Sequence, residues 1–254
     1  RLLLATTTSA PHRAAANAIS RPSPRLPPVI NTTRSVRSNR SSAYPGTPSI
    51  VARVQLLLIR HALPLRSTPD EGADPELSDV GFEQALRLPK ALDRHPITRV
   101  LSSPQRRAVQ TAAPVADALG LDVQIDDRLA EYDKDLAHYI PIEQIRIEFP
   151  DEWDRLAAGH LPSGVDEDAF IERVFAVLDE VVASGDHDDT VAMFSHGGVI
   201  NVILHRILGT ERLLLFPIDY ASVTRLRYSR NGDFTVAEVN GTEHVWDLLP
   251  RNAR

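Results

Sequence analysis

The sequence contains no cysteine, which excludes disulfides, thiolate metal sites and a cysteine nucleophile. It has one methionine, Met193, and no apolar run approaching the roughly 20 residues that span a bilayer. Leu2-Leu3-Leu4 is too short for the apolar region of a secretory signal. No Walker loop, GxGxxG fingerprint or GxSxG elbow is present. The histidines show no metal-ligand spacing. His138, His160, His187 and His244 stand apart and read as surface or core residues, so the pattern calls for no cofactor and no metal. Acids are missing from residues 1–53, which hold eight arginines and no lysine. The remainder therefore carries 20 basic against 34 acidic residues, a formal net charge of −14. The global charge gives anions no steering, so a local cationic cluster must attract them.

With 43% hydrophobic and 24% charged residues over 254 positions, the chain reads as an ordinary soluble protein of one or two domains. Residues 1–53 are rich in Ser, Thr, Ala and Pro without a helical or strand period, and are expected to be disordered. This extension has three readings. It resembles an organellar transit segment. It is a weak candidate for a nucleic-acid arm, lacking lysine and an aromatic ladder. The favoured reading is a stretch outside the native coding region, ahead of a non-Met start near Val51 or Val54. The folded part is expected over 54–254, in the cytoplasm, which the lack of cysteine fits.

The chain is organised around Val54 to Pro64, VQLLLIRHALP. Its apolar run fits a strand buried on both faces of a parallel sheet. The run stops at Arg60-His61-Ala62, placing a guanidinium and an imidazole at the strand's carboxyl end, where open α/β sheets bind ligands. Such a guanidinium holds an anion in a fork, and a neutral imidazole attacks an electrophile. Thr190 to Phe194 repeats the arrangement, ending in Ser195-His196-Gly197-Gly198 before an apolar helix. Paired glycines there let backbone approach a ligand.

Between these stretches, Ser78 is a plausible N-cap for a helix whose apolar side reads Phe82, Ala85, Leu86 and Leu88. Ile97 to Leu101 is a short strand, and Gln105 to Leu119 a helix with Pro114 marking a kink or break. Arg106 and Arg107 in its first turn oppose the helix dipole and are explained by an anion held there. Arg66, in the loop after His61, reads as solvated. Asp126 to Asp133 is acid-rich and follows another strand. Residues 132–165 read as a short-helix insertion covering one end of the sheet, 166–183 as an amphipathic helix, and 222–239 as an edge hairpin around Asn231-Gly232-Asp233.

Two histidines, two or three arginines and one carboxylate thus fall just after successive strands. That set suits phosphoryl transfer through a phosphohistidine, with cations stabilising the transferring group and an acid protonating the leaving oxygen.

Five ordered motifs over residues 54–210 resemble the histidine phosphatase (phosphoglycerate mutase-like) superfamily. They are Arg60-His61-Ala62, the Leu77 to Ala85 element LSDVGFEQA, the Ser102 to Ala112 element SSPQRRAVQTA, Leu129-Ala130-Glu131, and Ser195 to Gly198. The resemblance implies a three-layer α/β/α sandwich around a mostly parallel sheet. It implies a metal-independent hydrolase of the histidine acid phosphatase type, acting on a small phosphomonoester. His61 would be the phosphorylated nucleophile and Glu131 the proton donor, with Arg60, Arg107 and His196 on the phosphate and Ser67 and Gly197 as further substrate contacts. Ala62 replaces the family glycine. Ser67 stands where mutases carry asparagine, and Tyr132-Asp133-Lys134-Asp135 replaces their element after the acid. Both departures weigh against a mutase, and the presence together of nucleophile, acid and clamp residues weighs against a silent phosphate-binding protein. The expected partner is a small phosphomonoester, with no nucleic acid and no membrane, and a homodimer left open.

Overall fold

The computed structural model describes residues 53–66, 74–134, 142–186, 188–229 and 234–252. Of the 1–53 extension expected to be disordered, only Arg53 is described, as the first residue of β1; the rest of it, Ser67, His138, His187 and residues 231–233 lie outside the described residues. Among the described residues one six-stranded sheet has the order β3-β2-β4-β1-β5-β6. The strands are β1 (Arg53–Arg60), β2 (Arg99–Ser102), β3 (Val123–Ile125), β4 (Thr190–Ser195), β5 (Val223–Ser229) and β6 (Phe234–Gly241). The first four are parallel; β5 and β6 form an antiparallel hairpin with β6 at the edge.

Strand alternation sorts the core into two layers. Val54, Leu56 and Leu58 of β1, with Val191 and Met193 of β4, pack on helices α5 (Glu167–Ser184) and α6 (Gly197–Leu208). Leu57 and Ile59, with Ala192 and Phe194, face α1 (Asp79–Leu92) and α2 (Arg106–Leu119) on the other side. Leu56 to Ile59 have no exposed surface at all, as a central strand covered on both faces requires. This is the expected three-layer α/β/α sandwich.

Local chemistry sets the helix ends. Ser78 caps α1, its Oγ accepting from Gly81 N–H, and Asp166 caps α5 through Ala169 N–H. Gly120 ends α2 in the left-handed conformation, φ 66°. Two expectations are corrected. The buried side of α1 is Gly81, Gln84, Ala85, Leu88 and Leu92, whereas Phe82 and Leu86 are 42% and 68% exposed. At about 100° per residue, Phe82 and Leu86 fall off the stripe that Ala85 and Leu88 define. Of the kink or break expected at Pro114, the break is excluded, because α2 runs on to Leu119. The insertion after β3 contains two short helices, α3 (Ile142–Glu148) and α4 (Pro150–Ala158).

Parallel register aligns the carboxyl ends of the strands. Arg60 pairs with Ser195, and Ser102 with both Phe194 and Ile125. The residues that follow, His61, His196, Ser103 and the turn leading to Glu131, therefore converge on one edge.

Candidate active site

His61 is 2% exposed, and its Nδ1 donates to the Ala62 carbonyl at 2.8 Å. A carbonyl only accepts, so Nδ1 carries the proton and Nε2 keeps its lone pair. Burial, then Arg107 and Arg60, hold the imidazole well below its usual pKa, keeping it neutral. His196, wholly buried, lies with its ring centroid 5.1 Å from that of His61 and is held neutral by burial, Arg107, His61 and Arg60. Its Nε2 is 2.8 Å from Ser103 Oγ, while its Nδ1 has no hydrogen-bond partner among the described residues. His196 is therefore a neutral dipole rather than a cation.

The loop after His61 is fixed by side chains of the two motif helices. Ala62 N–H donates to Thr111 Oγ1 and Leu63 N–H to Gln84 Oε1. The Leu63 carbonyl accepts from Ser78 N–H and Oγ–H. Gly81 packs so closely on Leu63 that an added Cβ would overlap its carbonyl oxygen. The LSDVGFEQA element is thus a clamp on the loop after His61.

Arg60 and Arg107 approach from two sides. Arg60 Nη1 donates to the Ile218 carbonyl at 2.5 Å, and its guanidinium lies 3.9 Å above the Tyr220 ring. Tyr220, itself buried, also stacks at a tilt beside His61, centroids 5.6 Å apart. Arg107 is wholly buried and donates from Nη2 to both Asp133 oxygens at 2.9 Å. Arg106 does something else. It is exposed and ion-paired with Glu76, and its backbone N–H donates to Asp74 Oδ1. The anion anticipated at the start of α2 is thus, for Arg106, supplied by the protein's own acids. Arg66 is solvated as expected, pairing with Glu148 at 2.9 Å.

Glu131 is 7% exposed. Its backbone N–H donates to Gln105 Oε1, and its Oε2 accepts from Gly198 N–H at 2.8 Å. Arg173 Nη1 grips the carbonyls of Arg128 and Ala130 at 2.8 Å, fixing the turn before it. Burial and the neighbouring Asp133 push the Glu131 carboxyl up to about 7, against the opposing pull of Gly198 N–H and Arg107. It is a carboxylic acid poised to give or take a proton near neutrality.

Gly197, the first residue of α6, lines a cavity of about 410 Å³ together with Arg60, Tyr132, Trp153, Arg212 and Phe216. The structure thus brings His61, His196, Arg60, Arg107, Glu131 and Gly197 to one strand edge. His160 is exposed and His244 is held by the Ala221 carbonyl, as their isolation suggested. Sequence reasoning missed Asp133, Tyr220, Arg173 and Asp74. Asp133, two residues past the acid in the same turn, had the only local signal.

A neutral buried imidazole with a fixed tautomer, two guanidiniums and a carboxyl that titrates near neutrality are together a set that can handle a phosphoryl group. The histidine phosphatase superfamily (branch 1) profile matches residues 56–242. The chain belongs to this superfamily. It is 28% identical over 184 residues to a putative phosphoserine phosphatase 2 of Hydrogenobacter thermophilus, covering 68% of this chain and 88% of that protein. It is 26% identical over 190 residues to a probable phosphoglycerate mutase GpmB of Yersinia pestis, covering 70% and 86%. The solved structure of a mycobacterial glucosyl-3-phosphoglycerate phosphatase with inorganic phosphate superposes with a TM-score of 0.61 at 27% identity, covering 75% of this chain and 99% of that one. No helix among the described residues is long and apolar enough to cross a membrane.

Proposed function

We propose that this superfamily member is a metal-independent phosphomonoesterase of the histidine acid phosphatase type, acting in the cytoplasm on a small phosphorylated metabolite. The observation that carries the reading is the His61 tautomer, with Nδ1 tied to Ala62 and Nε2 holding its lone pair in a cationic setting. Nε2 attacks phosphorus, the bond to the leaving oxygen breaks, and Glu131 gives that oxygen its proton. Water then attacks the phosphohistidine, Glu131 takes back a proton, and the N–P bond pair returns to Nε2 as phosphate leaves. Arg60, Arg107 and an N–H of His196 bear the charge on the transferring group. Ser67 and Gly197 are further substrate contacts. The cavity beside Arg60 and Gly197 takes the leaving group, and its volume suits a small one.

The test is phosphate release from a panel of phosphomonoesters in EDTA, for wild type and His61→Ala. Release by wild type alone is expected, with a phosphohistidine trapped by rapid quench. Undiminished release by the variant overturns the mechanism. A trapped phosphohistidine with no net release points to an intramolecular phosphotransferase.

A further inference from the structure

Asp133 lies two residues past the acid and is 7% exposed. Its Oδ1 accepts from Gln105 Nε2 and Arg107 Nη2, and its Oδ2 from Arg107 Nη2, all at 2.9 Å. Gln105 turns its other end to the Glu131 backbone N–H at 2.8 Å. A single amide therefore joins the acid's backbone to the carboxylate on the buried arginine. Asp133 is also the main like charge acting on the Glu131 carboxyl.

Resting on the phosphatase reading above, we propose that Asp133 is a positioning residue that competes with phosphate for the Arg107 guanidinium and so speeds phosphate release. A buried guanidinium with no counter-charge would bind a phosphate dianion tightly and part with it slowly, and chemistry would then wait on product departure. The Asp133 carboxylate shares the cation in the empty site and recovers its full share when phosphate leaves. Gln105 holds it in place meanwhile.

The same charge acts on the acid. The Glu131 carboxyl faces Asp133 in its own turn, Arg107 from α2, and N–H groups from Gly198 of α6 and from Tyr132. Arg107 in turn faces His61, His196 and Asp74, and Arg60 and Arg173 act on His196. Within that set Asp133 favours the protonated acid, so its loss should make Glu131 ionise at lower pH.

The experiment uses the full chain and two variants that remove the charge at different side-chain volumes, Asp133→Asn and Asp133→Ser, with Asp133→Glu as the charge-keeping control. Affinity for inorganic phosphate is measured by calorimetry, and kcat against pH is measured with an alkyl phosphate. Tighter phosphate binding is expected in the neutral variants by about tenfold or more, the full attraction of unit charges about 4 Å apart at an effective dielectric of about 20 setting a ceiling of about a thousandfold. The alkaline limb of kcat should move down by about one pH unit. Asp133→Glu should keep both near wild type. Equal or weaker phosphate binding in a folded neutral variant overturns the proposal, since a residue that only orients Arg107 would weaken binding on removal. The calorimetric result needs no turnover. A chain that binds phosphate with the expected shift but releases none from esters would sink the phosphatase reading and with it the product-release role, leaving only the competition for Arg107.

Discussion

Replacing Gly198 with alanine tests whether Glu131 acts from the place where the fold holds it. Gly198 is the second residue of α6, where the helical backbone itself accepts any L-residue. What reserves the position is the acid. An added Cβ would overlap Glu131 Oε1 and lie 3.1 Å from Cδ and 3.2 Å from Oε2. Clearing that overlap moves the carboxyl by about 1 Å, to ordinary carbon–oxygen contact, and stretches the 2.8 Å bond from Gly198 N–H. Crowding costs about 1–3 kcal/mol, and the better helix propensity of alanine returns about 1 kcal/mol. The variant should fold with a net loss of about 1 kcal/mol, well inside ordinary domain stability. Catalysis should suffer more, because a displacement of about 1 Å costs on the order of 100-fold in rate. The loss should fall on alkyl phosphates, whose leaving oxygen needs a proton, and largely spare p-nitrophenyl phosphate, whose leaving group departs as a stable anion. The assay is kcat on both esters with thermal melts of wild type and Gly198→Ala. Equal losses on the two esters, or full activity on both in a variant of normal stability, would refute the placement of the acid.

Glu131→Gln should likewise slow alkyl esters far more than aryl ones, and wild-type kcat on alkyl esters should fall above about pH 7 as the acid loses its proton. The carboxyl holds its proton more tightly folded, at about 7, than unfolded, where the ordinary value is 4.5. Stability therefore falls as pH rises between those values, and by pH 8 the ionised group costs about 3 kcal/mol that Glu131→Gln removes. Melting curves at about pH 5 and pH 8 check this, and an equal effect of the substitution at both would sink it. Gly81→Ala should destabilise by about 3 kcal/mol or more, because the Cβ meets Leu63 backbone, with the carbonyl carbon 3.0 Å away and little able to move. Urea midpoints read the effect, and an unchanged midpoint would show that the clamp on the His61 loop is slack.

The buried parallel strands and the strand-end histidines were legible because both follow from local pattern, whereas the three-layer sandwich came with the family resemblance. A continuous apolar run such as Leu56 to Ile59 needs cover on two faces, and a polar residue that ends such a run must sit at the sheet's edge. The motifs added order along the chain, and Ser78, Gln84, Ser103 and Thr111 prove to be the side chains that tie these segments together. What was hidden depends on approach from elsewhere. Tyr220 arrives under Arg60 from the segment before β5, through Ala221 at a left-handed φ of 53°. Arg173 reaches the Glu131 turn from α5. Nothing near either residue in sequence marks it.

The adjacent pair Arg106 and Arg107 shows where pattern reading stops. Both follow a strand, both sit in the first turn of α2, and residue type alone gives them equal weight as anion ligands. The difference arises from the helix's rotation of about 100° per residue, which turns Arg107 into the protein and leaves Arg106 54% exposed. A buried guanidinium then requires an anion, since an uncompensated charge in the interior is strongly destabilising. That requirement could be deduced from the sequence once burial is granted, but its answer could not, because 34 acids were available to meet it. The fold answers with Asp133 for Arg107 and with Glu76 for Arg106. Only the first choice bears on chemistry, because only there does the counter-charge share its arginine with the site and press on the acid next to it.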